Sequence, residues 1–333
     1  MINVGIIGTG AIGTSHLLRL STRVSGARVA VLFDVDAKRA VALAEASGTT
    51  LGASAKEVIE DPAVDAVLIA SPGDTHAHLT LACIQAGKPV LCEKPLAPTS
   101  DECCKVVEAE VAYGSRLTQV GFMRRYDAGY RTVKQAIDAG SIGEVLVVHC
   151  VHRNVSSAPS YTSDMSFTDT AIHEIDTARW FIADEIVATT VIGLRRSSLA
   201  PSHLRDPQLV LLEFRSGVVV EVEVFVNCQY GYDVRCEVVG STGVAFLDNP
   251  TTGALTRSGT RSEPVPADWQ VRFGDAYLVE LQDWIDGLEK GAVCGPSAWD
   301  GYAATAVAES CVASLESGLK TTVSLVERPA LYV

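Results

Sequence analysis

The tightest constraint on the fold lies near the start of the chain. An apolar run, Ile2-Asn3-Val4-Gly5-Ile6-Ile7, leads straight into Gly8-Thr9-Gly10-Ala11-Ile12-Gly13 and then into a helical pattern. Glycines at this spacing permit a tight strand-to-helix turn, a close backbone approach to a diphosphate at the helix N-terminus, and close packing of helix on strand. The spacing alone is weak, but its context is the right one. A second apolar run, residues 29–33, ends at Asp34, about where a carboxylate takes hydrogen bonds from ribose hydroxyls. The plainer reading is a glycine-rich turn with Asp34 capping the next helix. On the first reading, Asp34 repels a 2′-phosphate, so the cofactor is NAD rather than NADP. Lys38 and Arg39 nearby weaken that preference slightly.

Runs at 66–70 and 90–92 are also nearly continuous in apolar residues, as expected of strands buried on both faces of a parallel sheet. Helical stretches at 37–46 and 75–86 separate them, and Gly87 and Pro89 stop the second. This alternation predicts a Rossmann-type doubly wound α/β domain over residues 1–121, with ligands at the carboxyl ends of its strands. After Gly121 the pattern changes. β-rich runs at 145–154, 185–193, 209–214, 218–227 and 234–247 are interrupted by helical stretches at 168–182, 276–289 and 299–315. Arg215-Ser216-Gly217 reads as a hairpin connection. Residues 122–333 are therefore expected to form an α+β domain on a large, mostly antiparallel open sheet, with loops at 156–166 and 249–268.

A length of 333 residues suits two domains of this kind. With 27 Lys+Arg against 40 Asp+Glu the net charge is −13, and no basic run offers a footprint for nucleic acid. No apolar stretch approaches the roughly 18 residues of a membrane span, and no basic leader precedes a cleavage site. The nine cysteines include no CxxC pair and read as reduced thiols of a cytoplasmic protein.

Two places carry chemistry. Glu93-Lys94-Pro95 closes a buried strand, and a lysine there either points its amine into the ligand crevice or is a surface lysine before a proline turn. Asp169, His173 and Asp176 share a face if 168–182 is one helix. A histidine beside a carboxylate suits proton transfer; alternatively Asp169 is an N-cap and His173 a core residue. His173-Glu174 does not extend to HExxH, because Thr177 stands in the required position. A looser metal site through Asp169 and His173 is the remaining metal alternative, against the expectation of none.

Together these pieces resemble the family of glucose–fructose oxidoreductase, inositol dehydrogenase and rhizopine-catabolism proteins (Gfo/Idh/MocA), most closely its inositol dehydrogenases. The resemblance covers nearly the whole chain. It is carried by the glycine turn, Ser71-Pro72 with His76, Glu93-Lys94-Pro95, Gly121 through Asp127, His152-Arg153-Asn154, Tyr161 through Met165, His173-Glu174-Ile175-Asp176 with Arg179-Trp180, and Tyr230-Gly231-Tyr232-Asp233. It implies a hydride-transferring dehydrogenase in which Lys94, Asp169 and His173 are catalytic. Gly8 through Gly13, Asp34, Ser71, Pro72, His76, Glu93 and Lys94 would contact NAD. Arg124, Asn154, Asp176 and Tyr232, with the catalytic three, would contact the hydroxyls of a polyol, a role their donors and acceptors suit. Another cyclitol or sugar, or a non-catalytic regulator with the same fold, are the alternatives. The resemblance also implies a homotetramer. Val218, Val219, Val220, Val222, Val224 and Val226 suggest an apolar sheet face left open for a second copy, unless the loop at 249–268 covers it.

Overall fold

Apolar, β-branched strands alternating with helices bury both faces only in a parallel sheet with helices on either side. The computed structural model, which describes residues 1–248 and 253–333, has that sheet. Its strands are β1 (Ile2–Ile7), β2 (Ala27–Phe33), β3 (Thr50–Leu51), β4 (Ala66–Ile69), β5 (Val90–Glu93) and β6 (Thr118–Gly121). They are arranged β3-β2-β1-β4-β5-β6, all parallel. Helices α1 (Ala11–Thr22), α2 (Ala37–Ser47), α3 (Ala55–Glu60), α4 (His76–Gln85) and α5 (Ser100–Tyr113) connect them. Strand order reverses between β1 and β4, which opens a crevice beyond their carboxyl ends. Val4, Ile6, Leu32, Leu68 and Leu91 from the strands pack with Leu17 and Leu20 of α1 in the core.

That core is completed by Leu281, Trp284 and Ile285, from far down the chain. The chain accordingly divides into two compact units that are not contiguous. The first comprises Met1–Met123, Tyr277–Thr305 and Leu325–Val333; the second comprises Arg124–Ala276 and Ala306–Ser324. The sequence suggests a single crossing near residue 121, whereas the chain returns to the first unit twice. The cause is apolar: Trp284 and Trp299 are each 1% exposed within the first unit.

The second unit contains α6 (Ala128–Asp138), β7 (Val145–Arg153), α7 (Ile172–Ile182), β8 (Ile186–Gly193), β9 (Gln208–Phe214), β10 (Val219–Phe225), β11 (Asp233–Gly240) and β12 (Val244–Leu247). A small hairpin, β13 (Leu255–Arg257) with β14 (Thr260–Ser262), follows. Helix α8 (Trp269–Glu289) begins here and ends in the first unit; α9 (Ala298–Ser317) does the reverse and leads to β15 (Thr321–Thr322). The sheet order is β12-β11-β7-β10-β9-β8-β15, antiparallel except for β7 beside β10. Arg215-Ser216-Gly217 does form the β9–β10 hairpin, with Gly217 at φ +90°. The run at 234–247 is not one strand, because a tight turn at Gly240–Gly243 folds it into β11 and β12 (Gly240 N donates to Gly243 O, 2.9 Å).

One expectation is overturned. Val220, Val222 and Val224 are fully buried and Val226 is 1% exposed, so the valine face is not left open. Nine of the eleven residues of α7 are buried, and α9 is tied to β8 through Ser310 Oγ to Thr189 Oγ1 (2.8 Å) and Val191 N to Ser314 Oγ (2.9 Å). The opposite face is the more open one. Its rungs read Leu209, Glu223, Val151, Arg235 and then Leu211, Glu221, His149, Glu237. The covering loop suggested at 249–268 lies partly outside the described residues, and its last part is the start of the approach to α8.

Candidate active site

The glycine turn is built as its sequence requires. Gly8 has φ +92°, and a Cβ there would sit 2.3 Å from Ser71 N. A Cβ on Gly13 would sit 2.0 Å from Gly8 O, whereas one on Gly10 would meet nothing within 4 Å among the described residues. Two glycines thus bring β1, β4 and α1 together, and the third leaves an open side. Gly10 caps α1 without a side-chain bond, and no acidic residue lies in the first turn of the helix. Uncapped N–H groups, open space and the positive helix end fit a diphosphate. Ala11 and Ile12 start the helix, and Thr9 turns back onto Asp34.

Asp34, at the end of β2, is nearly buried. Its Oδ2 accepts from Thr9 N (2.6 Å) and Thr9 Oγ1 (2.9 Å); its Oδ1 accepts from Asp36 N (2.8 Å) and Arg39 Nη2 (2.8 Å). Burial pushes its pKa up, but the Asp36 and Thr9 amides and the Arg39 guanidinium outweigh burial and hold it below the usual carboxylate value. Asp34 does not act as the cap of α2, since Asp36 takes that role by accepting from Arg39 N.

At the end of β5, Glu93 is 5% exposed and its Oε1 lies 2.7 Å from Nε2 of fully buried His16 on α1. Lys94 N is 3.3 Å from Glu93 Oε2. Gly121 on β6 makes room, since a Cβ there would come within 3.0 Å of that carboxylate. Ser71 Oγ bonds Thr75 Oγ1 (2.6 Å) in the turn that Pro72 opens. His76, expected against the cofactor, is 1% exposed and directs both ring nitrogens to main-chain carbonyls.

In the second unit Asp169 and His173 are not on one regular helix. Residues Ser166–Thr170 form a π turn closed by Ala171 N to Ser166 O (2.8 Å), and regular α7 starts at Ile172. Asp169 thus sits in the wider turn and His173 on the regular helix, instead of both on one regular helix as the sequence spacing suggests. It is held from outside, by Tyr161 OH to Thr170 Oγ1 (2.6 Å) and by Gln208 Nε2 donating to Ser166 Oγ (2.8 Å). Local sequence carries no sign of those anchors. His173 is 7% exposed on the first turn of α7.

Arg124 and Arg125 each take one acidic residue of α7. Arg125 grips Asp176 through Nε to Oδ2 (2.9 Å) and Nη2 to Oδ1 (2.5 Å). Arg124, 1% exposed, pairs with buried Glu174 rather than with Asp127, which instead caps α6 and binds Arg272 (2.7 Å). Nη2 of Arg124 lies 3.0 Å from His152 Nδ1, which is 3.1 Å from a Glu174 oxygen, and Tyr232 OH is 3.3 Å from His152 Nε2. Burial alone would raise the Glu174 pKa, but Arg124 and His152 overcome it and bring it down to about 2. Tyr232 is pushed up to about 12, chiefly by burial. Arg124 and Tyr232, expected to meet a ligand, thus belong to a buried polar network. Its other members, Glu174 and His152, were missed as functional residues although both lie in motifs the sequence displays. Asn154 is tied into the sheet by its backbone, and its side-chain Oδ1 is buried with no hydrogen-bond partner among the described residues. Among the described residues no three His, Cys, Asp or Glu side chains converge as metal ligands.

A six-stranded Rossmann sheet with an open glycine turn and an aspartate at the end of β2, joined to a second unit rich in buried donors and acceptors, fits an NAD-dependent oxidoreductase acting on a CH–OH group. Comparisons agree. Residues 2–122 match the oxidoreductase-family model for an NAD-binding Rossmann fold, and 134–325 match the model for its C-terminal alpha/beta domain. The chain belongs to the Gfo/Idh/MocA oxidoreductase family. It is 51% identical over 331 residues to inositol 2-dehydrogenase 3 of Saccharopolyspora erythraea, covering 99% of this chain and 98% of that one. It is 49% identical over 333 residues to inositol 2-dehydrogenase of Ralstonia nicotianae, covering 99% of each. A solved structure of myo-inositol dehydrogenase from Lactobacillus casei, in complex with NAD(H) and myo-inositol, superposes with TM-score 0.97 at 36% identity over 100% of both chains.

The Arg39–Asp34 pair sets a test of cofactor choice. Asp34→Ser removes the carboxylate and releases the Arg39 guanidinium beside the place where the sequence motif puts the ribose. We expect NAD efficiency to fall and NADP efficiency to rise, read as kcat/KM for each. Equal use of NAD and NADP by the unmodified protein would contradict the assignment of Asp34.

Proposed function

We propose that this chain oxidises myo-inositol to an inosose, the 2-keto product, with NAD as hydride acceptor. The observation that carries this is the match over the full length of both units to inositol dehydrogenases, on a fold whose glycine turn fits the diphosphate. Bound NAD supplies the hydride chemistry. The protein supplies proton handling and orientation. His173 takes the hydroxyl proton, and Asp169 holds the imidazole in the tautomer that accepts it. Lys94 holds the reacting oxygen and stabilises the negative charge that develops on it. Asn154, Asp176 and Tyr232 meet ring hydroxyls. The Oδ1 of Asn154, buried without a partner among the described residues, supports this, because a buried acceptor without a donor is costly until a ligand hydroxyl satisfies it. Arg124, wholly enclosed, contributes through the network that fixes Tyr232 and His152. Gly8 through Gly13, Asp34, Ser71, Pro72 and Glu93 frame the cofactor.

A panel of cyclitols and aldoses, read as NADH absorbance, tests the substrate. We expect the highest kcat/KM on myo-inositol. Activity on glucose with none on any inositol would replace the substrate and keep the reaction; no turnover of any polyol would favour a regulator.

The assembly we propose is a homotetramer. Support comes from the open face of the seven-stranded sheet, where half-exposed Val151, Leu209 and Leu211 lie among ion pairs such as Arg153 to Glu223 (2.7 Å). Light scattering should give four chain masses, and one chain mass would exclude this. A cytoplasmic location is supported by the nine cysteines, all free thiols. No helix among the described residues is long and apolar enough to cross a membrane.

A further inference from the structure

His76 opens α4 with its ring 1% exposed. Nδ1 lies 2.7 Å from the carbonyl oxygen of Pro95, and Nε2 lies 2.8 Å from the carbonyl oxygen of Ser71. Carbonyl oxygens only accept. A neutral imidazole donates from one nitrogen and would press the lone pair of the other against a carbonyl lone pair. Both contacts are hydrogen bonds only when the ring carries two protons.

We propose that His76 is a standing imidazolium that latches the Lys94-Pro95 segment to the Ser71 turn, and so is a positioning residue for Lys94. The segments it joins already touch. A Cβ on Gly73 would lie 3.6 Å from the Pro95 ring, and Ser71 N abuts Gly8 of the glycine turn. The latch therefore gathers the carboxyl ends of β1, β4 and β5, the strands that frame the crevice. Cys92 on β5 is the titratable side chain acting on the ring. Burial disfavours the imidazolium, but Cys92 and the two carbonyls outweigh burial and raise the pKa to about 9 from an ordinary 6.5. With the folded value raised, the stabilisation is complete below the ordinary value and is lost as pH rises through about 9. His76 makes no contact with the nucleotide on this account.

The inference rests on the assignment of Lys94 to catalysis, so its test includes measurements independent of turnover. Nitrogen-15 NMR of the whole protein at neutral pH, with His76→Gln assigning the resonance, should show both ring nitrogens protonated and losing a proton near pH 9. A single neutral tautomer would overturn the proposal. Lys94 can be followed by reductive 13C-methylation, assigned with Lys94→Arg. Its signal should shift in His76→Gln, and an unchanged signal would also overturn the latch. With inositol, kcat of His76→Gln should fall about a hundredfold, the cost of misplacing a group by about 1 Å. NAD affinity by calorimetry should stay within about threefold, because uniform binding is untouched. A protein inactive on every polyol would refute the functional reading yet leave both NMR results decisive for the latch.

Discussion

Replacing His173 or Lys94 with Ala is expected to lower kcat by about a hundredfold to ten-thousandfold, the usual contribution of a positioned acid–base group. NAD binding should survive, because it is the glycine turn and Asp34 that we propose carry it. The two substitutions separate the roles. If His173 is the proton acceptor, His173→Ala loses turnover at every pH, and near-normal turnover would make Lys94 the sole base. Asp169→Asn should lose much of the activity without touching the reacting hydroxyl, since it misorients the imidazole from the π turn. A chelator should change none of these values.

The second large effect is on stability. Arg124 and Glu174 are 1% and 2% exposed, and removing one partner of such a pair strands the other charge in a low-dielectric interior. Arg124→Ala or Glu174→Ala should cost about 3–5 kcal/mol, read as a lower urea midpoint for the unfolding of the second unit. Replacing both by apolar residues of similar size should cost much less, because no orphaned charge remains. Equal losses from single and double replacement would show that volume rather than charge is at stake. The pair also predicts acid behaviour. The folded pKa of Glu174 is depressed to about 2 from 4.5, so its contribution is present above the ordinary value. It is lost as pH falls toward about 2.

The first unit was legible because its signals are local. A strand, a glycine turn and a helix follow one another within the opening residues, and the carboxylate of Asp34 closes the next strand. Hairpin chemistry at Gly217 was equally readable. What escaped were pairings made at a distance. Which of Arg124 and Arg125 takes Glu174 or Asp176 depends on how the Met123–Tyr126 turn sits on α7. The π turn at Asp169 is held by Tyr161 and Gln208, neither a helix neighbour. The valine face is apolar as the sequence suggests but buried rather than open, because what covers a sheet face is set by tertiary packing that strand periodicity does not encode. His76 was found by its motif, while its part as a double donor needed two carbonyl positions that no side-chain pattern encodes.

The return of α8 to the first unit has a bearing on how the chain is made. Ribosomal synthesis is vectorial, so the six parallel strands emerge long before Leu281, Trp284 and Ile285 do. At about 5–20 residues per second the interval is roughly 10–30 s. Throughout it the core of the nucleotide-binding sheet is without the three side chains that complete it. The cofactor-binding unit therefore lacks part of its core until long after its sheet has been made. Three of its core side chains are encoded behind six of the seven strands of the second sheet, which ties completion of the first unit to synthesis of most of the second.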